Sequence, residues 1–226
     1  MNRFFDIVFS IFALLLLSPL LIPVIIVLRF SGEGEVFFLQ ERIGRNGKNF
    51  KLYKFATMLK DSPNLGTGTV TIKDDTRVLP AGKFLRKSKI NELPQLLNIL
   101  FGSMSVIGPR PLTEETFSAY SKSCQESIKK VRPGLSGIGS IVFRTEEEIM
   151  SGPRGSTNFY QTVIAPYKGQ LEQWYVQRTN IFIYFILIFL TCWVLIRPSS
   201  QFVWRIFKDL PVPEKVIAVH VNYPNS

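Results

Sequence analysis

Two stretches of this chain are almost wholly apolar, and the polar sequence between them changes its period several times. The first stretch, FFDIVFSIFALLLLSPLLIPVIIVL, covers residues 4–28. About 25 residues at 1.5 Å rise each are enough to cross a hydrocarbon core of roughly 30 Å. Ser18-Pro19 and Pro23 fall in its middle. Proline removes a backbone donor and crowds the preceding turn, so a bend or break is predicted there. Each limb would then hold about 15 residues, short for a span. A kinked span and a re-entrant helix–break–helix dipping into one leaflet both fit; Arg3 and Arg29, basic at both ends, favour the second. A secretion signal is disfavoured, because no small-residue cleavage site follows. The second stretch, IFIYFILIFLTCWVLI at residues 181–196, is bracketed by Arg178 and Arg197. As a helix it measures about 24 Å, short for a span and ample for an interfacial helix.

Between them, GEVFFLQERIGRNGKNFKLYKFATM alternates apolar and polar residues around Arg45-Asn46-Gly47-Lys48, which predicts a β-hairpin. SPNLGTGTVTIKDDTR reads as a polar loop. Residues 80–90 place Lys83, Arg86, Lys87 and Lys89 around Phe84 and Leu85, a short amphipathic helix whose cations can reach phosphates or lipid head groups, or simply face solvent. Apolar residues at 90, 93, 97 and 100 have helical spacing, and Gly102 ends that helix. Asn91 is then expected to cap it, with Pro94 in the first turn. TEETFSAYSKSCQESIKK reads as a polar helix, VRPGLSGIGSIVFR as loop and strand, SGPRGSTNFY as a loop, and YQTVIAPYKGQLEQWYVQRTN as an amphipathic helix. The last residues, PVPEKVIAVHVNYPNS, suggest a polar, strand-forming tail with an exposed His220.

Charge narrows the partners. With 27 basic and 17 acidic residues among 226, the chain carries a formal +10, which suits anionic lipid or phosphorylated substrates. It lacks basic runs and an RNA-binding motif, so nucleic acid is not expected. One histidine and two cysteines, Cys124 and Cys192, leave no His-dependent triad, no metal-ligand spacing and no disulfide framework.

Four pieces carry a more specific signal: FFLQERIGRNGKNFKLYKFATM, DTRVLPAGKFLRKSKINELPQLLNIL, MSVIGPRP and VRPGLSG. In content, order and spacing they resemble the bacterial sugar transferase family, the small monotopic phosphoglycosyl transferases, over roughly residues 1–196. The resemblance implies an α/β fold: a compact membrane-associated globule with a re-entrant N-terminal helix broken at Ser18-Pro19, and amphipathic interfacial helices. The expected layout is a membrane helix over 1–30, the transferase domain over 31–178, an apolar membrane-associated helix over 179–200 and a tail over 201–226. Placement on the cytoplasmic face of the bacterial inner membrane is implied too. So are a UDP-sugar, polyprenyl (undecaprenyl) phosphate, inner-membrane lipid and Mg²⁺, in the first membrane step of glycan assembly. In that family an Asp-Glu pair does the chemistry: the Asp attacks the sugar-linked phosphorus, and the Glu holds Mg²⁺. Glu92 matches the Glu. Lys54, Arg86, Arg110, Arg132 and Arg144 match basic positions able to grip phosphates, a task suited to forked guanidinium donors.

Asn91 stands where the nucleophilic Asp belongs. A carboxamide is neutral and its nitrogen lone pair is delocalised, so it cannot form the acyl-phosphate; a 10⁴-fold loss of rate is about 5.5 kcal/mol of barrier. The family's K-F-R-[ST]-M reads KFATM, with Ala56 for Arg, and its G-D-M-S reads GSMS, with Ser103 for Asp. Two readings follow. One is a working phosphoglycosyl transferase with altered chemistry, Glu92 or the lipid phosphate itself attacking. The other is a catalytically silent member that binds substrate or pairs, as a homo- or hetero-oligomer, with an active paralogue.

Overall fold

The computed structural model describes residues 2–62, 76–151, 157–218 and 220–224. Most of the polar stretch 62–77 and part of 151–160, both expected to be loops, lie outside the described residues. The chain divides into two compact units. One comprises residues Phe5–Glu41 and Lys51–Gly102, the other Met1–Phe4, Arg42–Phe50 and Ser103–Ser226.

The first unit is built on α1, Asn2–Arg29, which runs through both prolines as one helix. The interruption expected at Ser18-Pro19 is not present. Pro19 has no N–H for the carbonyl of Leu15 four residues back, and the Ser18 hydroxyl donates to that carbonyl instead, at 2.7 Å. Only 11% of the most apolar 18-residue stretch of α1 is buried. Phe12, Leu15, Leu16 and Ile22 are each more than half exposed. An apolar surface of this extent marks membrane contact. On the opposite face, Leu21 and Leu28 pack with Phe55 and Leu85, flanked by Val36, Ile90 and Leu93.

The alternating segment forms the hairpin β1 (Phe37–Ile43) and β2 (Asn49–Phe55). Its turn holds Asn46 and Gly47 at positive φ, the backbone conformation these two residues reach most easily. The basic segment forms α2, Pro80–Lys87, with proline at the start, where its missing N–H costs nothing. A short turn over Ile90–Glu92 follows, then α3, Gln95–Phe101, closed by Gly102 at φ 93°.

In the second unit, β3 (Ser105–Ile107) pairs in parallel with β4 (Gly134–Ser136), Ser105 opposite Gly134 and Ile107 opposite Ser136. The seam is tight enough to require glycine. A Cβ on Gly134 would lie 2.1 Å from the Gly108 nitrogen, and one on Gly108 would lie 2.4 Å from the Arg132 carbonyl oxygen. The polar helix expected over TEETFSAYSKSCQESIKK is two helices, α4 (Glu114–Ser118) and α5 (Lys122–Ile128), each capped by its own hydroxyl, Thr113 and Ser121. The strand expected in GLSGIGSIVFR is confined to β4; Ile138–Val142 forms helix α6. It buries Ile138, Gly139, Ile141 and Val142 and packs on the helices spanning Ala165–Arg178 and Ile181–Ile196. After α7 (Glu146–Ser151) and α8 (Thr157–Phe159) come α9 (Ala165–Arg178) and α10 (Ile181–Ile196). Helix α10 packs on α6, β3 and β4, burying Tyr184, Leu187, Leu190 and Val194, and leaves Phe182, Phe189 and Ile196 exposed. One side of it is therefore docked on protein, and the other is apolar and open.

Among its described residues the tail forms no strand. It forms α11 (Phe202–Ile206) and α12 (Lys215–Ala218), buries Trp204, Phe207, Ile217 and Val221, and half-buries His220. It also fastens α9: Tyr167 donates to the Pro211 carbonyl at 2.8 Å, Trp174 donates to Asp209 at 3.1 Å, and Arg178 pairs with Asp209 at 2.7 Å.

Candidate functional site

The first unit holds the Asn91–Glu92 pair. Lys89 in the left-handed region, φ 60°, turns the chain sharply after α2, and the amides of Glu92 and Leu93 close on the carbonyls of Lys89 and Ile90. Asn91 therefore does not cap α3. Pro94 occupies that position, and no side chain bonds to the α3 amides there. The reason is local: the left-handed Lys89 starts a tight turn ahead of α3, so Asn91 lies inside the turn, not at the helix entrance. Asn91 is 9% exposed, and its Oδ1 has no hydrogen-bond partner. The residues beside the pair, Ile90 and Leu93, pack into the cluster formed by Leu21 and Leu28 of α1. The pair thus sits at the root of the membrane-facing helix.

Arg86, in the last turn of α2, lies on the element packed against this turn, and its Nη1 reaches the Met58 sulfur at 3.5 Å. Lys54 is half-buried on β2. The strand that carries it is tied to α3 by a residue the sequence reading overlooked. Asn98, 2% exposed, accepts the Tyr53 amide at 2.9 Å and donates to the Lys51 carbonyl at 2.8 Å. One carboxamide thus stands in for a neighbouring strand. A lone amide inside the apolar run LLNIL was the available signal.

The second unit presents Arg110, Arg132 and Arg144. Arg110 and Arg132 leave the two sides of the β3–β4 seam, where the Gly134 amide donates to the Pro109 carbonyl at 2.8 Å. Arg110 is exposed, Arg132 half-buried. Arg144 is exposed beyond the far end of α6. A shallow groove opens beside Arg110, lined in part by Pro109, Phe117, Lys129 and Pro133.

Beneath the Arg110 loop lies a buried polar cluster that was also missed. Lys168 and Glu172, one helical turn apart on α9, are each 1% exposed, and Lys168 pairs with Glu146 at 2.6 Å. Burial pushes the Glu172 carboxyl up to about 7, against the opposing pull of Lys168 and Arg110. Burial likewise raises Tyr160 and Cys124, each to about 12, so the Cys124 thiol stays protonated and inert. Two charged residues on the face shared by Leu171 and Tyr175 were the signal for this cluster.

Among the described residues no group of three or more His, Cys, Asp or Glu side chains could hold a metal. Glu92 is one carboxylate, and the neighbouring Asn91 Oδ1 is a hard oxygen lacking a partner. That donor set fits a hard divalent cation held chiefly by substrate phosphates, not a resident ion in a protein cage.

Mixed helix and sheet with one long, exposed apolar helix is the make-up of a membrane-associated α/β protein. The chain belongs to the bacterial sugar transferase family, whose model matches residues 1–198. It is 34% identical to the exopolysaccharide production protein ExoY of Rhizobium meliloti over 204 residues, covering 84% of this chain and 83% of that one. The ExoY protein of Sinorhizobium fredii is 36% identical over 174 residues, 71% of this chain and 76% of its own. The UDP-glucose:undecaprenyl-phosphate glucose-1-phosphate transferase of Escherichia coli is 33% identical over 193 residues, 84% of this chain but 39% of that longer protein.

Proposed function

We propose that this chain is a phosphoglycosyl transferase working at the cytoplasmic face of the bacterial inner membrane, moving a phospho-sugar from a UDP-sugar to polyprenyl phosphate. The observation that supports it most is the placement of the Asn91–Glu92 turn against the root of α1. A lipid phosphate is pinned at the head-group plane, and a carboxylate fixed beside a membrane-embedded helix meets it at that depth. In this reading α1 stays within one leaflet as a continuous helix, with Arg3 and Arg29 on the same side.

Glu92 would hold the cation that the substrate phosphates bring, and Arg86 and Lys54 of the same unit grip phosphate oxygens; Arg110, Arg132 and Arg144 of the other unit are further groups of the kind that grips phosphate. When bound, Mg²⁺ draws charge off those oxygens. Asn91 cannot form an acyl-phosphate, so the transfer is a single displacement. An anionic oxygen of the lipid phosphate bonds to the sugar-bearing phosphorus as the bond to the UMP oxygen breaks. The attacking oxygen carries no proton, so no general base is required.

The test uses full-length protein in lipid nanodiscs with Mg²⁺, UDP-sugars and polyprenyl phosphate. UMP release without a covalent phospho-sugar adduct is expected, while Asn91→Asp should form the adduct and turn over at least about tenfold faster. An adduct on the unaltered chain would overturn the single displacement. UMP release seen only when an active relative is added would replace this reading with the partner-subunit one.

A further inference from the structure

The loop Gly108-Pro109-Arg110-Pro111 has two backbone donors, because its prolines have none. The Gly108 amide is spent on the Ser136 carbonyl at 2.9 Å. The Arg110 amide points to a side chain from 62 residues downstream, Glu172 Oε1, at 3.5 Å. Also from α9, the Tyr175 hydroxyl donates to the Ile107 carbonyl at 3.2 Å. Space for the carboxylate exists because residue 139 is glycine: a Cβ there would lie 2.4 Å from Glu172 Oε1. Three distant stretches thus converge on the arginine loop.

For stability alone this is a poor arrangement. Glu172 is 1% exposed, its Oε2 has no hydrogen-bond partner, and Lys168 is already paired with Glu146. Burial raises its carboxyl to about 7, the mark of a group that the fold holds against its solvation preference. Replacing such a buried ionisable group with an apolar one of similar size is often neutral or stabilising. A group that costs stability yet holds a loop is expected where function needs the loop fixed.

We propose that Glu172 is a positioning residue of the phosphate grip: by accepting the Arg110 amide it fixes the loop, so the exposed guanidinium meets the donor's diphosphate in one place. This rests on Arg110 binding the UDP-sugar. Without the restraint, the loop must be ordered when the ligand binds, and affinity falls.

UDP-glucose is the probe, because its diphosphate is doubly esterified and does not titrate near neutrality. Affinity would be measured by calorimetry on full-length protein in nanodiscs, beside Tm and hydrogen exchange of residues 107–112. Glu172→Gln retains an acceptor of the same shape and should bind within about twofold of the unaltered chain. Glu172→Met retains bulk without an acceptor and should lose roughly three- to tenfold in affinity, the scale of one hydrogen bond. In the Met variant residues 107–112 should exchange faster while Tm holds or rises. Unchanged affinity and exchange in Glu172→Met would overturn the proposal. So would a fall in Tm accompanying the lost affinity, since Glu172 would then support the core and not the loop. If the unaltered chain fails to bind UDP-glucose at all, the donor-binding reading falls, and the exchange comparison of Met with Gln still decides the role of Glu172.

Discussion

Asn98 gives a direct way to test how the first unit is held together. Its carboxamide makes two bonds to β2, accepting the Tyr53 amide at 2.9 Å and donating to the Lys51 carbonyl at 2.8 Å, in a side chain 2% exposed. Asn98→Asp changes one atom in kind. The acceptor for Tyr53 survives, the donor to Lys51 is lost, and an anionic oxygen faces a carbonyl oxygen. The lost bond is worth about 1 kcal/mol, and a part-buried carbonyl left without its donor and facing a carboxylate costs about 1–3 more. The expected destabilisation is therefore roughly 2–4 kcal/mol, which for a chain of this size lowers Tm by roughly 4–16 °C. Thermal unfolding in nanodiscs at neutral pH, followed by tryptophan fluorescence or calorimetry, measures it. A neighbouring exposed substitution, Lys87→Ala, serves as the baseline. Acid should narrow the gap, because the introduced carboxyl, once protonated, again offers a donor to the Lys51 carbonyl. If the Asn98→Asp variant melts within about 2 °C of the unaltered chain, the bridge does not hold α3 to β2, and the account of how Lys54 is held in the first unit fails with it.

Two more outcomes follow from the charges. The folded Glu172 carboxyl titrates at about 7 against an ordinary 4.5, so the folded state binds the extra proton between those values. Its contribution is present in full below about 4.5 and is lost as pH rises through 7, roughly 3 kcal/mol at 1.36 kcal/mol per pH unit. The Tm of the unaltered chain minus that of Glu172→Gln should therefore be largest near pH 5 and fall by pH 8; a difference that is flat or rises with pH refutes the assignment. Asn91→Asp should lower Tm by placing a carboxylate where the side chain is 9% exposed, and adding Ala56→Arg should recover part of that loss, with a coupling of about 1–3 kcal/mol. Strict additivity of the two changes would show that positions 56 and 91 do not share an environment.

What the sequence made legible was local. Alternation around Arg45-Asn46-Gly47-Lys48 marked the hairpin, a proline followed by spaced cations marked α2, and Gly102 marked the end of α3. Each of these is decided by a few adjacent residues. The errors came where tertiary contacts outweigh local pattern. Ile138–Val142 carries β-branched residues suited to a strand, yet it forms a helix packed on α9 and α10. Asn91 is a good cap by type, but the left-handed Lys89 closes the turn before a cap can form. The Ser18-Pro19 pair reads as a break until the serine hydroxyl is seen to serve the orphaned Leu15 carbonyl. In the site, exposed arginines in motifs could be named from sequence. The buried supports, Asn98 and Glu172, left only the signal of a polar residue on an apolar face, because their value lies in partners 45 and 62 residues away.

The three neutral replacements divide by burial. Ala56 is 6% exposed and Asn91 9% exposed, and both lie in the first unit. Phe55, beside one, and Ile90, beside the other, belong to the same apolar cluster. An arginine buried at 56 without a carboxylate nearby is an uncompensated buried charge, a defect of about 3–5 kcal/mol. Once residue 91 is neutral, a neutral residue 56 is what stability alone favours. Ser103 follows the C-terminal end of α3, where an aspartate would meet the negative end of the helix dipole, so neutrality there also carries no folding cost. Arg110 and Arg144 are exposed, where water solvates a guanidinium and keeping the charge costs the fold almost nothing. At the two buried positions, 56 and 91, the lost charge thus follows burial, as it would whether or not the chain still transfers a phospho-sugar. Counting lost motif residues therefore cannot separate an altered enzyme from a silent one. The lone chemical difference that bears on the question is the carboxamide at 91, and the adduct test on Asn91→Asp addresses that atom directly.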